Sequence, residues 1–174
     1  MSSAKDIALL PDAGPLITLA CADALDVLFR PGWTVMLVDM VLHEVTGNQT
    51  PTSNELAAWV ASAQIPVMPT KTLEHFRRTA TESPPPRSRN LGELAIQETM
   101  TEFALKVPPK TGVFLFEDHK IARASFMVPD NCRKISTRAF LIFLEQKGLI
   151  DSAVDIERRA VQAGRAFSSQ RFPP

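Results

Sequence analysis

The chain has 174 residues, 45% hydrophobic and 22% charged, with 19 basic against 19 acidic side chains and a formal net charge of zero. That length suits one compact domain with a sizeable core, and the balanced charge excludes a global basic field that would draw in polyanions. Two cysteines, Cys21 and Cys132, are too few and too far apart for a disulfide framework or a Cys-ligated zinc site, and they read as buried free thiols.

The first expected strand covers residues 7–10, ending at Pro11-Asp12. Gly14 and Pro15 then open a helix, with proline in a tolerated first-turn position and Leu16, Leu19, Ala20, Leu25 and Leu28 on its apolar face. Residues 34–38 form an apolar, β-branched second strand. Asp39 caps a helix over residues 40–45 that Gly47-Asn48 breaks. Ser53 starts an amphipathic helix carrying Leu56 and Trp59, and a short third strand follows at 65–68. Thr70 or Thr72 caps a modest helix through Arg78. The polar, proline-rich TESPPPRSR at 81–89 is expected to be a mobile loop. A helix over 91–106 is stopped by Pro108-Pro109. The fully apolar strand at 113–116 belongs in the centre of a parallel sheet. Asp118 caps a helix over 120–126, and a short last strand follows at 132–135. Ser136 or Thr137 caps the helix 140–147, which Gly148 closes, and Asp151 or Ser152 opens a last helix to about residue 163. From about 164 the tail has little to order it. No apolar run approaches membrane-spanning length, and the opening MSSAKDIALLPDAGP does not resemble a secretory leader, so a cytoplasmic protein is expected.

This alternation predicts an α/β fold, a three-layer α/β/α sandwich around a mostly parallel sheet of about five strands. Right-handed crossovers with one reversal give the order 3-2-1-4-5. Four acids then stand where strands hand over to helices: Asp12, Glu44, Glu93 and Asp118, with Glu117 beside the last. In that order the first and fourth strands are neighbours, so Asp12 and Asp118 face one crevice. Glu93 reaches it from the helix feeding the fourth strand, and Glu44 approaches from the other side. Gathered carboxylates without matching cations either raise their pKa values or hold divalent cations.

Each acid also has a plain structural explanation. Asp12 and Asp118 suit helix N-termini, where the dipole stabilises a carboxylate. Asn90 and Glu93 spell a capping box, and Glu44 reads as a surface acid. Those explanations account for each residue but not for their common placement.

Four stretches, LLPDAGPLITL (9–19), VDMVLHEV (38–45), NLGELAI (90–96) and FLFEDHKIAR (114–123), followed by KISTRAFLIFLEQKGLI, together resemble a PIN domain, the ribonuclease fold of VapC-type toxins. The resemblance implies catalytic roles for Asp12, Glu44, Glu93 and Asp118. It implies Mg²⁺ or Mn²⁺ held by Asp12, Glu93, Asp118 and Glu117, with Asp118 favoured over Glu117. It further implies an RNA substrate, a small antitoxin as partner and a homodimer. Arg123 matches a family arginine, Thr137 or Ser136 falls where a small hydroxyl accompanies the acids, and Arg138 completes the expected substrate contacts. Arg87, Arg89, Lys120, Arg123, Arg133, Lys134 and Arg138 are the basic residues available to steer a phosphate backbone.

The expected activity is hydrolysis of an RNA phosphodiester bond by water activated at a bound divalent cation. The rival is a non-catalytic PIN-like module binding RNA or protein, with the acids serving as helix caps. A phosphatase using Asp12 as nucleophile ranks third, because residue 14 is glycine where a D-x-D pattern needs a second acid. The helical segments at 55–63 and 73–78 offer a surface for a dimer or antitoxin.

Overall fold

A computed structural model describes residues 6–81, 90–117 and 128–165. Its sheet is built on two apolar strands, β1 (Ile7–Pro11) and β5 (Thr111–Phe116), which pair in parallel with Ile7 opposite Thr111 and Pro11 opposite Leu115. Ala8, Leu9, Leu10, Phe114 and Leu115 are almost wholly buried, as a strand covered on both faces demands. Strand β2 (Thr34–Val35) flanks β1, and β6 (Cys132–Ser136) flanks β5, giving a four-stranded parallel sheet in the order β2-β1-β5-β6. The edge strand β6 alternates buried Cys132 with exposed Arg133, and a charged edge discourages pairing with a second chain.

The single five-stranded sheet expected from the sequence is not what forms. The run 34–38 divides at Met36, whose N–H donates to Leu9 O at 3.0 Å, while Leu37 N donates to Pro66 O at 3.0 Å. Strand β3 (Leu37–Val38) therefore leaves β1 and pairs with β4 (Val67–Met68) as a separate two-stranded sheet. Pro66 has no N–H to extend that ladder, which keeps β4 to two residues.

Helices flank the sheet in an arrangement compatible with three layers. These are α1 (Ala13–Cys21), α2 (Asp39–Thr46), α3 (Pro51–Ser62), α4 (Lys71–Thr79), α5 (Leu91–Leu105), α6 (Thr137–Gln146) and α7 (Ala153–Gln162), with a 3₁₀ turn at Leu25–Phe29. Helix α1 lies against β1, β5 and α7; α5 lies against β5, α2 and α4; α6 lies against β5, β6 and α7. Phe103, Phe140, Leu16, Leu19, Ile96 and Met100 are fully buried between these layers. No helix among the described residues is long and apolar enough to cross a membrane.

Side-chain caps settle several starts left open by the sequence. Thr50, rather than Ser53, begins α3, its side chain accepting from Ser53 N. Thr70 caps α4, Ser136 caps α6 and Ser152 caps α7. Most of the expected loop at 81–89, the expected helix over 120–126 and the tail from residue 166 lie outside the described residues.

Candidate functional site

Parallel strands point their carboxyl ends the same way, so the residues after β1, β5 and β6 stand in a row. Asp12 follows β1 directly, and its N–H donates to Leu115 O at 2.8 Å, which fixes it beside the end of β5. Glu117 follows β5, and Thr137 follows β6 with its hydroxyl donating to Phe116 O at 3.2 Å. Asp12, Glu117, Ser136 and Thr137 are all buried there.

Asp12 occupies the N-cap position of α1, yet its side chain makes no capping hydrogen bond. It is only 1% exposed, so capping does not account for a carboxylate at this depth. Asn90 likewise makes no side-chain cap; it sits in the left-handed region at φ 65°, and the capping box suggested by Asn90 and Glu93 lacks its Asn90 half. Glu44 is half-buried rather than a solvated surface acid, and its Oε1 accepts the Gly92 N–H at 3.1 Å. That bond satisfies one of the open donors in the first turn of α5 from a different helix.

Gly92 brings the acids together. A Cβ placed on it would lie 2.8 Å from Glu44 Oε2, 3.2 Å from Asp12 Oδ1 and 3.2 Å from Val41 Cγ2. Two carboxylate oxygens from different elements thus converge on the space that a side chain at position 92 would fill. Glu93, half-buried in the first turn of α5, is its chain neighbour. These donors are hard oxygens around a small cradle, the donor type that Mg²⁺ and Mn²⁺ select. Among the described residues no group of three or more His, Cys, Asp or Glu side chains is gathered at metal-holding distance. Asp118, the fourth expected acid, and Arg123 lie outside the described residues.

Glu117 is placed differently. Its Oε1 accepts from the Thr18 hydroxyl at 2.7 Å, and Arg165 Nη2 stands 4.0 Å from the same oxygen. Its Cγ lies so close to the Gly14 backbone that a Cβ there would approach to 2.5 Å. Arg138, expected to contact substrate, forms a two-pronged ion pair with Glu157 on α7 at 2.9 and 3.2 Å. His43 lies against Phe76 with ring centres 5.6 Å apart and planes tilted by 58°, and Arg133 donates to the carbonyls of Asp130 and Cys132.

Sequence reasoning gave no site role to Gly92, Thr18 or Arg165, and read Gly14 only as a helix opener and as the gap in a D-x-D pattern. Gly92 stands within the NLGELAI stretch, but the demand for glycine comes from two side chains of α2 and from Asp12 just after β1, which no local pattern reveals. A separate cleft of about 460 Å³, bordered by Asp26, Arg30, Ile150, Asp155 and Arg159, contains none of the candidate acids. No protein-family model matches this chain, and no curated protein matches it.

Proposed function

We propose that this chain is a metal-dependent ribonuclease of PIN-like architecture that hydrolyses RNA phosphodiester bonds. The observation that carries the reading is the meeting of Asp12 and Glu44 at Gly92, at the carboxyl edge of a parallel sheet. One oxygen of Glu44 caps α5 through Gly92 N, while Asp12 makes no side-chain cap on α1, so capping of their own helices does not explain why the two carboxylates meet.

Asp12 and Glu44, which meet at Gly92, would hold Mg²⁺ or Mn²⁺ together with Glu93 and Asp118, the two acids that the family resemblance adds. Bound there, the cation would supply an activated water and offset charge on the phosphate oxygens. The chain's own part is positional. Burial of Asp12 keeps one carboxylate oxygen fixed at the edge of β1. The Gly92 N–H orients Glu44, so its other oxygen lies at the cradle beside Asp12, where it can orient an attacking water. A toxin role, a small antitoxin and a homodimer built on α3 and α4 rest on the family resemblance alone.

The test is Mn²⁺-dependent cleavage of structured RNA by the full chain. Asp12→Asn and Glu44→Gln are each expected to lower the rate by at least about 100-fold, with chelator abolishing wild-type cleavage. Cleavage that survives both substitutions, or that proceeds in chelator, overturns the reading. RNA binding without cleavage would favour the non-catalytic module.

A further inference from the structure

Glu117 stands two residues beyond Leu115, the residue whose carbonyl fixes Asp12, yet its carboxylate is bonded to α1 and is not gathered with Asp12 and Glu44 into a metal-holding group. Its Cγ passes Gly14 and its Oε1 ends on Thr18, about one turn further along α1. The Thr18 hydroxyl has a single hydrogen, and that hydrogen is committed to Glu117. The same hydroxyl oxygen accepts from Arg165 Nε at 2.9 Å, while Arg165 Nη2 donates to Gly14 O at 3.4 Å. Arg165 is itself held, its N–H bonded to Ala160 O at 3.0 Å just beyond α7. One guanidinium thus grips the turn after Asp12, the Thr18 hydroxyl and, through it, the buried acid after β5. A bare surface ion pair would need none of this: Thr18 is 1% exposed and Glu117 6%.

We propose that Arg165 and Thr18 are positioning residues that hold Glu117 out of the cleft between Asp12 and Glu44, so that Glu117 acts as a latch acid and not as a ligand. This inference rests on the cation-site reading above. Its consequence has a sign. Releasing the latch frees a carboxylate beside the cleft, and losing Arg165 also removes a nearby positive charge. Both changes favour a divalent cation. A merely structural contact behaves oppositely, since its loss loosens the site and weakens binding.

The experiment is Mn²⁺ calorimetry on the full chain, with thermal midpoints measured alongside. Wild type is expected to bind and Asp12→Asn to lose binding. Arg165→Gln and Thr18→Val are expected to bind about fivefold tighter despite lower midpoints, and Thr18→Ser, which keeps the hydroxyl, to match wild type. Adding Glu117→Gln to either tightened variant is expected to remove the gain. Should Arg165→Gln fail to fold, Thr18→Val, nearly isosteric, decides by the same criterion. Unchanged or weaker binding in the latch variants, with Asp12→Asn still inactive, overturns the latch and leaves the cation site standing. No binding by wild type overturns the cation-site reading and the latch with it.

Discussion

A methyl group added at position 92 meets the far ends of Glu44 and Asp12 and a methyl of Val41, whereas one added at position 14 meets the buried stem of Glu117. The two substitutions are therefore expected to separate site from stability. In Gly92→Ala the half-buried Glu44 carboxylate can swing aside, Asp12 and Val41 need give only slightly, and the better helix propensity of alanine offsets the lost Glu44 bond. Urea unfolding should shift by no more than about 1 kcal/mol, while Mn²⁺ affinity falls at least about tenfold. Gly14→Ala has no such escape, because Glu117 Cγ is 2.5 Å away and its carboxylate is tied to Thr18. Urea unfolding should show a loss of about 1–3 kcal/mol. Equal destabilisation by both would deny Gly92 its role as a cradle. Asp12 and Glu44 were readable from the sequence as acids at strand and helix boundaries. Their glycine was not, because its constraint is set by atoms 48 and 80 positions away in the chain.

Helix starts in this fold are tied to other elements as often as to their own caps. Asp39, the first residue of α2, accepts from Met40 N at 2.7 Å and also from the N–H and hydroxyl of Thr70 at 2.8 and 2.6 Å. The carboxylate of Glu98, in α5, accepts from Lys71 N, Thr72 N and the Thr72 hydroxyl, covering the open donors of α4. Glu98→Ala is expected to cost about 1–3 kcal/mol and to speed amide exchange at Lys71 and Thr72 while leaving α7 protected. Uniform loss of protection would mean that α4 is not an independently anchored element. The pairing of Arg138 with Glu157, both half-buried, joins α6 to α7. A double-mutant cycle on that pair should give a coupling of about 0.5–1.5 kcal/mol. Apolar runs and Thr or Ser caps made most of these elements readable in advance. The break of the second strand was not, because 34–38 carries no glycine, proline or charge to mark it, and the switch after Met36 depends on Pro66, whose carbonyl takes the Leu37 N–H only in the folded chain.

Across the whole molecule, alternation of strand and helix was enough to predict an α/β fold and to set the first and fourth strands side by side, as β1 and β5 are. It did not foresee that the strand beyond would pair apart from the main sheet. The core makes its own prediction. Cys132 is buried under α5, its Sγ 4.0 Å from Met100 O, and desolvation raises its thiol pKa. A hydrogen bond with the Gly112 backbone and the charge of Arg133 offset only part of that rise. A pKa raised by folding means that the native state holds the proton; the stability this lends is complete below the unfolded value of about 9 and is lost as pH rises through the folded value. Thiol reagent at pH 8 is thus expected to modify half-buried Cys21 first and Cys132 only at the rate of unfolding. Rapid modification of both would contradict the packing described.

The most direct measurement is calorimetric titration of Mn²⁺ into the wild-type chain and into the Asp12→Asn/Asp118→Asn double variant, with both shown to be folded. A cation site at the carboxyl edge predicts a saturable isotherm for wild type and none for the variant. Identical isotherms, or no binding by either, would contradict it and return these acids to the role of helix caps.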